Sequence, residues 1–287
     1  MGAVFRHEVR SYLHSLTAFL FGAFLLEFVG IGCVLYNIQA AVANFEYVLQ
    51  FVCIGMTVII PVLTMKTLAE ERRQKTDLLL YSLPLSSAQV IVGKFLALLV
   101  VFMAPMCVVA VYPLIFSMYG DVFLLSAYGS ILAFILMSAA LIAIGMFISS
   151  LTQSQGLAAG IAIPVLLLNY FSVSLAESVS TSAAGSLVAL AALLLALAWL
   201  VKRLTASQRA AYVTVVAGAV ILAILALVDT TMFESLLPDI MRQLSLFDRF
   251  DGFVEGVFSL SSVVFYLSVA GYFLFLSSQS LEKRRYN

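Results

Sequence analysis

The chain has 287 residues, of which 63% are hydrophobic and 10% charged, with a formal net charge of zero and a mean hydropathy of +1.10. So little polar surface cannot cover a soluble fold of this size, and zero net charge gives no footing for a nucleic-acid partner. Apolar runs about 20 residues long, rather than alternating ten-residue strands, predict an all-α, polytopic helical membrane protein.

At the N-terminus, Phe5, Val9, Tyr12, Leu13 and Leu16 recur at helical spacing, with Arg6, His7, Glu8, Arg10 and His14 among them. This pattern is unlike a cleavable leader and predicts an amphipathic helix over 1–16, lying in the membrane interface before the first span. Hydropathy over a window of about 19 residues then places spans near 18–37, 48–66, 91–117, 127–150, 157–175, 184–201, 211–228 and 259–279, eight in all. Lipid is therefore the first partner. With both termini in the cytoplasm, the inner segments hold Arg6, Arg10, Lys66, Arg72, Arg73, Lys75, Lys94, Lys202, Arg203, Arg209, Lys283, Arg284 and Arg285, and the outer ones only Arg242 and Arg249. That positive-inside bias predicts a multi-pass protein of the cytoplasmic membrane with an even number of spans.

Several residues inside the spans invite attention. Glu27 is a carboxylate well within the first, where an unpaired charge costs roughly 2.5–3.5 kcal/mol; it reads as a pathway group or as one packed against a neighbouring helix or subunit. Pro105 and Pro113 interrupt the third span, and Pro164, followed by Asn169, the fifth. Gly156 and Gly160 make a small-residue face suited to close helix contact. The three cysteines lie in apolar runs and read as packing residues. Beyond Pro238, Ile240, Met241, Leu244 and Phe247 predict a short amphipathic helix on the outer side, over the bundle or against an extracellular partner subunit.

No catalytic set is present: both histidines are in the N-terminal flank, and there is no H-E-x-x-H, G-x-S-x-G or Walker A sequence. The polar residues gather instead in one island, 66–94, which holds eight charged residues. Lys66–Lys75 favours helix, with Glu71 placed four residues before Lys75 to pair with it. Leu78, Leu79, Leu80 and Leu83 follow, too apolar for a solvated loop, and suit the membrane or a partner's groove. Pro84 ends that segment. Ser86 and Gln89 then form a capping box, with Leu85 and Val90 as a hydrophobic staple, so the third span starts at Ser86. Lys94, two turns in, is expected to reach back to the interface with its ammonium. The result is a rigid elbow over 67–90 continuous with a membrane helix.

The run Ala69-Glu70-Glu71-Arg72-Arg73, then Thr76-Asp77-Leu78-Leu79-Leu80, Leu83-Pro84-Leu85-Ser86 and Gly93-Lys94-Phe95, resembles the cytoplasmic loop of ABC-2 type transporter permeases, which forms their coupling helix. Gly145, Ser149-Ser150-Leu151-Thr152 and Gln155 are similar to that family's second cytoplasmic turn, and the stretch from Phe250 to Tyr286 to the C-terminal end of its gliding-motility subgroup. The chain departs from the pattern at Gln74-Lys75, and over 177–240, where a pair of extra spans is read as an insertion into a six-helix core within one transmembrane domain, 1–287.

The resemblance implies a permease subunit without its own ATPase, coupling ATP hydrolysis by two copies of a separate ATPase subunit to movement of a substrate, expected to be export, across the cytoplasmic membrane. That subunit would hold the ATP and magnesium, so no cofactor is expected in this chain. A second permease chain, identical or related, is also implied. Glu70, Glu71, Arg72, Arg73, Lys75, Leu79 and Leu83 would be ATPase contacts, with Thr152, Gln153 and Gln155 a second group. A non-transporting scaffold driven by the same ATPase, or a secondary transporter, remains open on the residues alone.

Overall fold

A computed structural model of the chain describes residues 2–74, 86–178 and 236–285, together with isolated positions between 194 and 219. All regular structure among them is helical. In chain order the helices are α1 (Gly2–Leu13), α2 (Leu16–Gly32, continued by the wider π-helical turn Cys33–Gln39), α3 (Glu46–Thr64), α4 (Lys66–Gln74), α5 (Ser87–Val109), α6 (Tyr112–Ser117), α7 (Leu124–Leu151), α8 (Gln155–Tyr170), α9 (Ser172–Ser178), α10 (Leu236–Leu244), α11 (Asp248–Val254) and α12 (Leu260–Arg285). Five of these stretches are long and apolar enough to cross a membrane: Leu16–Gln39, Glu46–Gln74, Ser87–Ser117, Leu124–Leu151 and Leu260–Lys283. They match five of the eight predicted spans.

The other three fare differently. The predicted span 157–175 is the shorter helix α8, ended by a turn at Phe171. Spans 184–201 and 211–228, with most of the predicted insertion, lie outside the described residues.

The chain divides into two compact units, Met1–Tyr170 with Leu246–Asn287, and Phe171–Ser245. In the second, α9 packs on α10, which begins at Leu236, ahead of Pro238, so that the proline sits in its first turn, where no donor is needed. Leu244 is exposed rather than part of a covered face, and Phe247 lies beyond α10, buried as the residue preceding α11.

In the first unit α7 is the axis. Its apolar window is 78% buried, against 28% for α2 and 22% for α12, and it packs on α3, α4, α5, α8, α11 and α12. Gly145 sets the closest approach: a Cβ there would stand 2.3 Å from Thr64 Oγ1 on α3. Rings then bridge the bundle in series, Phe21 to Phe102 at 6.1 Å, Phe102 to Phe134 at 6.4 Å and Phe134 to Phe250 at 5.9 Å, linking α2, α5, α7 and α11. Such tilted contacts add to the burial of these rings.

Local chemistry explains the breaks. Ser15 caps α2 by accepting from Thr17 N at 3.1 Å. Pro105 sits inside an unbroken α5, while Pro113 cannot donate to the Val109 carbonyl, and the helix breaks at Ala110–Val111. Gly256, at φ +82°, closes α11 in the left-handed region open to glycine. Among the described residues Gly156 and Gly160 are exposed on α8 and make no close contact, and α8 packs through Ala158, Ala162 and Leu166. Cys33 and Cys53 are buried packing residues, whereas Cys107 is exposed.

Candidate functional site

The described parts of the polar island, 66–74 and 86–94, meet other helices in a brace at one end of the first unit. α3 turns at Met65, and α4 leaves as a separate helix whose first amides lack partners of their own, as at any helix start. A serine from another helix supplies them. Ser149 Oγ, fully buried on α7, accepts from Leu68 N at 3.3 Å and Ala69 N at 3.1 Å, and donates to the Met65 carbonyl at 3.1 Å. One hydroxyl thus caps α4 and fixes the bend before it.

Charged residues tie the rest. Lys94, only 1% exposed, donates to Glu71 Oε1 of α4 at 2.5 Å and to Glu8 Oε1 of α1 at 2.6 Å. A buried ammonium is tolerable only when paired and hydrogen-bonded, and here two carboxylates from two other helices do so. Where the sequence reading expects Lys94 to reach back to the interface, its ammonium meets carboxylates of α1 and α4. Lys75, the expected partner of Glu71, lies outside the described residues.

Two hydroxyl contacts run in parallel. Tyr12 Oη and Thr67 Oγ1 are 3.2 Å apart, and Lys66 Nζ donates to Thr17 Oγ1 at 2.7 Å. Burial pushes the Tyr12 phenol up to about 12, so it remains a neutral hydroxyl partner.

The second predicted group meets the first. Glu70 accepts from Arg73 Nη2 at 2.9 Å and from Gln74 Nε2 at 2.5 Å, and its other oxygen accepts from Gln155 Nε2 at the start of α8. Arg72, buried, donates through Nη1 to the Thr152 carbonyl at 3.3 Å. At the end of α12, Ser280 Oγ donates to the Ser150 carbonyl at 3.2 Å. The turn between α7 and α8 is therefore held from both sides.

Of the residues singled out in the sequence, Glu70, Glu71, Arg72, Thr152 and Gln155 converge in this brace. Arg73 and Gln153 are exposed beside it, Arg73 with its side chain 63% exposed. Lys75, Leu79 and Leu83 lie outside the described residues, as does the Leu85 half of the staple, while the capping box of Ser86 and Gln89 forms in both directions. Glu27 is exposed on α2, and Pro164 is exposed within α8. Asn169 Oδ1 accepts from Leu246 N at 3.1 Å. Sequence reasoning did not name Glu8, Tyr12 or Ser149 as site residues; the signals were a carboxylate and a tyrosine four residues apart on α1, and the place of Ser149 in the stretch that resembles the second cytoplasmic turn. Among the described residues no group of three or more His, Cys, Asp or Glu is placed to hold a metal ion. The brace ties α4 to α1, α5, α7 and α8.

Fold and site together define a polytopic helical membrane protein in which α4 is braced against neighbouring helices. A family model, ABC-2 family transporter protein, matches residues 3–180. The chain belongs to that family, and is a membrane permease of an ABC transporter. No curated protein matches it.

Proposed function

We propose that this chain is the coupling subunit of its transporter: a separate ATPase docks on the α4 end, and the brace passes that ATPase's closure into the spans. The observation that carries this is the junction at Lys94. A push on α4 reaches α5 and α1 through Lys94, α7 through Ser149, and α8 through Glu70 and Arg72. An element held this way moves with the bundle instead of bending alone. The excess of Lys and Arg at this end supports a cytoplasmic position, where an ATPase would find it. The family supports an ABC ATPase as the partner; two copies of it, with two permease chains, complete the assembly we propose.

The docking face is assigned to Arg73 and Gln153, exposed on either side of the α4–α8 contact; Glu71 and Arg72 act inside the brace. Arg73→Gln combined with Gln153→Glu should cut co-purification of the ATPase at least tenfold, while loss of the exposed Arg73–Glu70 pair, worth about 0–1 kcal/mol, leaves the detergent melting temperature of the permease nearly unchanged. Undiminished ATPase recovery with this pair would overturn the assignment.

A further inference from the structure

We infer that the outer face of α1 binds the headgroup of an anionic phospholipid. About 3.6 residues per turn set the order of side chains around this helix. Glu8 and Tyr12 face the protein, bonded to Lys94 and Thr67. Next come Phe5, Val9 and Leu13, then Arg6, Arg10 and His14 as a row four residues apart.

The apolar strip and the basic row line one open concavity of about 410 Å³. Arg10 and His14 also border a second concavity of about 290 Å³ with His7 and Ser11. His14 is held in the row by its ring Nδ1, 2.8 Å from the Arg10 carbonyl.

Two features select the occupant. The first is charge: Glu8 is α1's only carboxylate and it is committed to Lys94, so the outward side of α1 carries Arg6 and Arg10 and no negative charge. Neither Arg6 nor Arg10 has a carboxylate partner among the described residues. The second is continuity. Leu13, 50% exposed, leads into Leu16, Phe19 and Leu20 at the start of the first span, all exposed. An apolar strip running into a membrane span, edged by guanidinium groups, fits an acyl chain below and a phosphate at the rim. A soluble anion would meet the row but leave the strip uncovered.

The site is coupled to the brace, because Glu8 shares Lys94 with α4. Lipid bound on α1 would therefore stabilise one position of the elbow, a consequence that rests on the coupling function proposed above.

The test uses the full chain in neutral detergent, titrated with phosphatidylglycerol or phosphatidylcholine and read by native mass spectrometry. The wild type should retain phosphatidylglycerol preferentially. Arg6→Gln with Arg10→Gln should reduce that preference by about fivefold per arginine, while Arg6→Lys with Arg10→Lys, which preserves charge and controls for folding, should keep most of it. An unchanged preference in the glutamine pair would overturn the site. So would displacement of the lipid by excess inorganic phosphate, which would mark a plain anion site, or occupation of α1 by a soluble protein in place of lipid. ATPase activity of the complex in nanodiscs separates the two claims: phosphatidylglycerol retained without any change in rate leaves the lipid site standing and counts against the coupling reading.

Discussion

Lys94 shows how much one residue's environment decides. A lysine two turns into a membrane helix ordinarily has the interface within reach of its long stem. Here Glu71 and Glu8 stand within 2.6 Å of the ammonium, from elements 23 and 86 residues away in the chain. Removing one partner of a buried pair strands the others. Lys94→Met should therefore destabilise the protein toward the lower end of the roughly 3–5 kcal/mol seen when buried pairs are broken, since Glu8 and Glu71 keep 14% and 24% side-chain exposure. The triple variant with Glu8→Gln and Glu71→Gln should recover most of the loss. Thermal melting in detergent measures both, and a Lys94→Met protein as stable as the parent would contradict the brace. Hydropathy could not have revealed this contact, because it scores each window alone.

At the scale of elements, what was legible was what is local. Ser86 and Gln89 cap α5 through contacts three residues apart, so their spacing in the chain was enough. The start of α4 was not legible, since its cap is Ser149, some 80 residues further on. For the same reason Gly156 and Gly160 looked like a contact face, although the close approach is made by Gly145. Small residues permit proximity, but only a facing helix makes use of it. Ser149→Ala removes one acceptor shared by two amides and one donor, so α4 should fray at a cost of about 1–2 kcal/mol. Hydrogen exchange should quicken at the amides of Leu68 and Ala69 while the middle of α7 stays protected. Equal protection of those two amides in the variant would mean that α4 is capped by something else.

At the scale of the whole first unit, the class and the positions of five spans were readable because lipid imposes length and apolarity on each span separately. The centrality of α7 was not, for its composition differs little from that of α2; the bundle, not the segment, buries it. α3 runs through this unit from the brace to its opposite end, where Gln50 Nε2 donates to Asp251 Oδ1 of α11 at 2.9 Å. Partial desolvation, with Asp248 and Glu255 alongside, holds the Asp251 carboxyl above its ordinary range despite that hydrogen bond, which acts in the opposite sense. A carboxyl whose value is higher folded than unfolded favours the native state when protonated. Its contribution is greatest below the unfolded value, is lost as pH climbs from there through the raised folded value, and is a constant penalty above it. Asp251→Asn retains an oxygen for Gln50 and has no charge to desolvate. It should melt about one to three degrees higher than the parent at neutral pH, with the gap closing as pH falls through that window. The difference between the two melting curves isolates this group, because every other carboxylate is common to both. A gap that widens toward acid would reverse the sign and show that the ionised carboxylate stabilises this end of α3.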